Sequence, residues 1–223
     1  MRRSWLKLGI PALLAVLMVG SVFAGVVAAQ PGKERGRNKE IIQVNPSTYV
    51  IKDKVPDKKK FLSKIETKLD QKHGVSSGEV TSQGESSGTD IATKDVLGSY
   101  IEGKTYFHGI VESGIKATFT GDGYTKGYWW GSDPYNADRI TLTSKVVVSG
   151  ISVTISVPPS AGFSVSGNTA TYSGSWDNVW WAAHYYDNLV AESYVALVDF
   201  DQYDSETFRF GNVDYTLYTH VDL

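Results

Sequence analysis

From Gly98 onward, apolar residues tend to fall at every second position in short runs, and turn-forming pairs separate the runs. A period of two puts alternate side chains on opposite faces of an extended strand, so the pattern predicts strands. Around Ser149-Gly150 the parity switches. Val146 and Val148 precede it on even positions, and Ile151, Val153, Ile155 and Val157 follow on odd ones. A two-residue hairpin turn there would set Val148 opposite Ile151 and keep both sets on one face, and a bulge is the alternative. Pro158-Pro159 closes that run, because neither ring nitrogen can donate to a ladder. Further hairpin signals stand at Asp122-Gly123, Gly167-Asn168 and Gly211-Asn212, with a looser one at Ser113-Gly114. Residues 193–200 alternate with apolar side chains on both faces, as a strand buried on both sides would. The pattern predicts an all-β domain over residues 98–223, an antiparallel β-sandwich or flattened barrel of about 8–10 strands.

The preceding chain reads differently. Residues 1–29 carry Arg2, Arg3 and Lys7, then a nearly unbroken apolar run ending in small residues, the pattern of a secretory signal peptide. The run approaches the ~20 residues that span a bilayer, so a retained anchor is the alternative. Residues 30–73 form a basic arm, a pro-region in one reading. Within it Phe61, Leu62, Ile65 and Leu69 recur at helical spacing, which predicts a short amphipathic helix over 57–73 with Asp57 as its cap. Residues 74–97 are rich in Ser and Gly and read as a flexible linker, so residues 98–223 are expected to fold alone.

Charge sharpens the division. Residues 30–73 hold twelve Lys and Arg against six Asp and Glu, whereas residues 98–223 hold six against fourteen. An acidic body speaks against nucleic acid, which needs a basic face to neutralise phosphates. The chain has no cysteine, which removes disulfides, thiolate metal ligands and cysteine nucleophiles together. That suits a secreted bacterial protein, extracellular and off the membrane once its signal is cleaved.

Candidate chemistry lies in the aromatic residues. Residues 176–187 hold Trp176, Trp180, Trp181, His184, Tyr185 and Tyr186, and Trp129-Trp130 form a second group. Neighbours in a strand face opposite ways, so each adjacent pair should send one ring to the core and one outward. Outward rings would form a platform for sugars or a partner, and these eight residues are the predicted ligand contacts. His108, His184 and His220 show no metal-ligand spacing. The loop with Asp133, Asn136 and Asp138 offers oxygens that could take Ca²⁺, without matching a known calcium loop. No hydrolase or phosphate-binding motif is present, and no catalytic residue or required cofactor is predicted. The expectation is a secreted binding module for carbohydrate or another cell-envelope polymer. A bacteriocin-like effector or inhibitor with a processed pro-region is the rival reading, and a small secreted hydrolase the third.

Overall fold

The structure, a computed structural model, describes residues 41–75 and 84–223. The expected signal over 1–29, the start of the arm (30–40) and residues 76–83 of the expected linker lie outside the described residues. In chain order the elements are β1 (Ile41–Asn45), β2 (Thr48–Ile51), α1 (Lys58–Lys72), β3 (Glu85–Val96), β4 (Ser99–Glu112), β5 (Ala117–Trp129) and β6 (Ala137–Ile151). Then come β7 (Thr154–Ser156), a 3₁₀ turn at Pro159–Ala161, β8 (Ser164–Ser166), β9 (Thr169–Val179), β10 (Trp181–Ser193), β11 (Ala196–Phe210) and β12 (Val213–Asp222).

Two antiparallel sheets pack face to face as a β-sandwich. One runs β1-β2-β10-β5-β4-β3, with β7 also paired to β10, and the other runs β12-β11-β6-β9-β8. Alternation explains which residues meet between them. On β6, Ile140, Leu142, Val146 and Val148 are buried, and on β11 Gln202, Asp204, Glu206, Phe208 and Phe210 face the same interior. The opposing sheet supplies Ile101, Thr105, Phe107, Thr125 and Trp129. Gly167 and Gly211 take positive φ at the β8–β9 and β11–β12 turns, where a side chain would strain the backbone.

Two of the predicted turns do not form. Asp122-Gly123 lies inside β5, and Ser149-Gly150 lies inside β6, whose chain reverses instead at Ser152 with φ 54°. The parity switch marks a change of sheet: Val146 and Val148 line the core from one sheet, and Ile155 lines it from β7 in the other. Residues 193–200, expected as one strand buried on both faces, instead end β10 and begin β11, with Tyr194, Val195 and Val198 exposed.

Much of the chain before residue 98 belongs to the same sandwich. β2 pairs with β10 from Thr48↔His184 to Ile51↔Trp181. Glu85–Val96 is no tether, because its twelve residues pair one for one with β4. α1 starts at the predicted cap, Asp57 accepting from the Lys60 amide at 3.0 Å. It lies on the outer face of the larger sheet, burying Leu62 and Leu69 there.

Candidate functional site

Beneath α1, alternate residues of three strands make an aromatic floor: Tyr49 on β2, Tyr124 and Tyr128 on β5, and Trp181 and Tyr185 on β10. Lys126 rises from this floor and is 1% exposed. Its Nζ donates to Asp70 at 3.0 Å, lies 3.7 Å from Glu66, and sits 3.7 Å above the Tyr124 ring. Burial lowers the Lys126 pKa, while the two helix carboxylates act to raise it. The phenols are also satisfied by the helix: Tyr185 donates to Asp70 at 2.9 Å and Tyr128 to Glu66 at 2.6 Å. Burial and these carboxylates raise both phenol pKa values.

The predicted contact residues therefore fare unequally. Trp129, Trp180, Trp181, His184 and Tyr185 are fully buried, and Tyr186 is nearly so. Both members of the 180–181 pair are buried because Trp180 sits at the crossing between β9 and β10, outside a strand, where alternation does not apply. Its Nε1 donates to the Asp53 carbonyl. Trp181 shares the face of Tyr185. Tyr186 points between the sheets and donates to Gln202. His184 stacks on Tyr172 with centroids 3.4 Å apart and hydrogen-bonds Thr48 at 3.2 Å. Burial pushes its pKa down to about 3, so it is a neutral core residue. Only Trp130 and Trp176 of the eight are part-exposed.

Trp130 opens onto a groove of about 440 Å³ at the start of α1, shared with Tyr100, Tyr135, Ser132, Asp57 and Lys59. The groove is rigidly built. Lys58 Nζ donates to the carbonyls of Trp129, Gly131 and Tyr135 at 3.0, 2.6 and 3.1 Å, and lies 4.2 Å from the Tyr135 ring centroid. Burial lowers its pKa to about 8. Tyr135 Oη accepts from the Val55 amide at 2.7 Å. Gly131 must be glycine, because a Cβ there would lie 1.8 Å from the Trp129 ring. The Trp130 ring stacks on Tyr128 at 5.6 Å and donates through Nε1 to Glu102 at 3.0 Å, so its orientation is fixed from two sides. Tyr100, at 6.1 Å, extends the ledge, and the Lys59 ammonium stands 5.5 Å from the indole. A shaped aromatic wall with a few convergent polar groups is the usual form of a small-ligand site.

Asn136 Nδ2 donates to the carbonyls of Lys52 and Asn178, and the Asp138 carboxylate accepts from the Gly211 amide. Sequence reasoning missed a different cluster, His108 held between Asp122 at 2.7 Å and Glu85 at 3.0 Å. Burial opposes the imidazolium, but the two carboxylates outweigh it and raise the His108 pKa. Glu85 comes from the segment taken for linker, so no sequence signal joined the three.

No family model matches the chain, and no curated protein matches it. Among solved structures, the GAE domain of GGA2p from Saccharomyces cerevisiae aligns with 60% of this chain and 97% of that domain. The identity is 6% and the TM-score 0.26, too loose a likeness to argue from. The fold is an all-β sandwich, and the groove beside Trp130 is its candidate ligand site.

Proposed function

We propose that the protein is an exported β-sandwich module that binds a carbohydrate, a cell-envelope polysaccharide or a fragment of one, in the groove beside Trp130. Export rests on the apolar, small-residue-ended start of the chain. The observation that carries the ligand class is the fixed ledge of Trp130 and Tyr100 beside Asp57, Ser132 and Lys59. The apolar face of a sugar ring stacks on such a ledge, and its hydroxyls meet the neighbouring polar groups. The groove is small, so it suits a few sugar units rather than a broad surface.

Titrating soluble neutral oligosaccharides while following tryptophan fluorescence tests this. The wild type should saturate, and Trp130→Ala should weaken binding by about tenfold or more, roughly 1.4 kcal/mol. Because Trp130 also packs on Tyr128, an exposed partner variant is needed. Ser132→Arg should block the groove with its melting temperature unchanged. Absence of saturable binding by any oligosaccharide, or full binding by both variants, would remove this reading.

A further inference from the structure

The outward face of the smaller sheet is laid out in ranks. The strand registers set Thr216, Thr207, Thr141 and Ser175 side by side across β12, β11, β6 and β9. The next rank is Tyr218, Ser205, Thr143 and Ser173. Neighbouring positions in a rank are ~4.8 Å apart and successive ranks ~6.8 Å apart. In a chain that is 21% charged, these eight positions carry no charge at all. An ordinary solvated sheet face is interspersed with Lys and Glu, so this blank is informative. The rank on one side is Asp214, Arg209, Arg139 and Asp177, and it closes on itself. Arg209 binds Asp214 at 2.7 and 2.8 Å, and Arg139 binds Asp177 at 2.7 Å.

Tyr218 stands on this face 76% exposed, and Tyr203 stacks on His220 at 4.3 Å while 44% exposed. The hydroxyls are pre-aligned in pairs: Thr141 with Ser175 at 2.8 Å, Thr143 with Ser173 at 3.3 Å and Thr207 with Thr216 at 2.9 Å. Each hydroxyl offers one donor and two lone pairs, so one mutual bond leaves capacity toward a ligand.

We propose that this face docks on an ordered, neutral polysaccharide, a surface of extended sugar chains rather than a single short one. Charge decides the occupant. With both arginines neutralised in place and the two middle ranks uncharged, exposed Lys145 beside Tyr203 in the rank beyond is a single cation, too little to hold a polyanion. An apolar protein partner would have to bury rows of hydroxyls without matching them, at a cost for each. A polyol matches them, since every sugar hydroxyl can donate or accept and so can every Ser and Thr. Tyr218 and Tyr203 add ring faces for stacking. This goes beyond the groove and does not depend on it, because the two lie on different sheets.

Sedimentation of the purified protein with washed crystalline cellulose and crystalline chitin tests it. The wild type should be retained on at least one solid, with little change between low and high salt, because the two middle ranks carry no charge. Tyr218→Ala should lower the partition constant by about tenfold, and so should Thr143→Arg, which plants a bulky cation in the middle rank. Both positions lie on the solvent side, and near-ultraviolet circular dichroism checks that the variants fold. Trp130→Ala should be retained like the wild type, so loss of groove binding and loss of surface binding are read separately. Retention on neither solid, retention abolished by salt, or face variants retained like the wild type would each overturn the proposal and leave an ordinary solvated face.

Discussion

Asp204 and Glu206 are buried between the sheets with no cation beside them among the described residues. Asp204 accepts from Thr105 on β4 and Gln202 on its own strand, both at 2.7 Å. Glu206 accepts from Thr125 on β5 at 3.1 Å and Thr219 on β12 at 3.3 Å. One oxygen of each carboxylate has no partner. Burial raises the Asp204 pKa to about 6 and that of Glu206 well above its usual value. Both acids hold protons more tightly folded than unfolded. Their contribution is therefore fully present below the unfolded pKa near 4 and declines as pH rises through about 6. Tyr186 on β10 and Ser144 on β6 complete the surroundings, and neither brings a charge. Asp204→Asn keeps an acceptor for Thr105 and Gln202 and cannot ionise. Denaturant unfolding should show the variant gaining on the wild type by about 2–3 kcal/mol between pH 4 and 7. His184, with a lowered pKa, makes the wild type lose stability as pH falls through about 6.5, in the opposite sense. Only the variant-minus-wild-type difference isolates Asp204, and a difference flat in pH would contradict this account.

At the scale of elements, α1 and the floor beneath it are interdependent. In isolation a helix of this length is marginal, and its lysine-rich sequence brings no core of its own. Leu62 and Leu69 supply apolar contact, but the specificity comes from Lys126, Glu66 and Asp70. The pair is asymmetric. Lys126 is 1% exposed at its side chain, whereas Glu66 and Asp70 are 23% and 29% exposed. Removing the lysine returns two carboxylates to nearby water, whereas removing both carboxylates strands an ammonium under the helix. Glu66→Gln with Asp70→Asn should therefore cost about 3–5 kcal/mol and Lys126→Met clearly less. Chemical denaturation of the two variants measures this, and equal losses would show that the charges matter only as a pair. The helix was legible in its spacing and its Asp57 cap. Its docking site was not, because Lys126 reads as a surface lysine until Glu66 and Asp70 are seen above it.

The same blind spot explains the boundary placed at residue 98. Alternation revealed the sandwich because core-facing positions such as Val146, Val148 and Phe208 are apolar. It missed β3, an edge strand held by backbone pairing. Thr89, Thr93 and Asp95 of β3 are exposed, and Ser86, Ser87 and Gly88 at its start give the segment the look of a tether. For β2 the apolar piece Tyr49-Val50-Ile51 suggests at most an edge strand, since four residues are too few to show a period; the structure buries all three and pairs them on both sides, with β1 and β10. Among the site residues, the rule for adjacent rings held at Trp129-Trp130 and failed at Trp180-Trp181. Exposure there is decided by a sheet crossing and a helix that the local sequence does not reveal. The fold thus predicts a different autonomous unit. A 98–223 fragment loses β1, β2, β3 and α1, opens the start of β10 and the whole of β4 as unpaired edges, and bares the tyrosine floor. It should aggregate or show no cooperative melt, as exposed edges and large apolar patches dictate. A 37–223 fragment keeps the whole compact unit and should melt in one sharp step. Near-ultraviolet circular dichroism on heating, with light scattering alongside, compares the two. A cooperative, monomeric 98–223 fragment would mean that the strands and helix before residue 98 are an addition to the core rather than part of it.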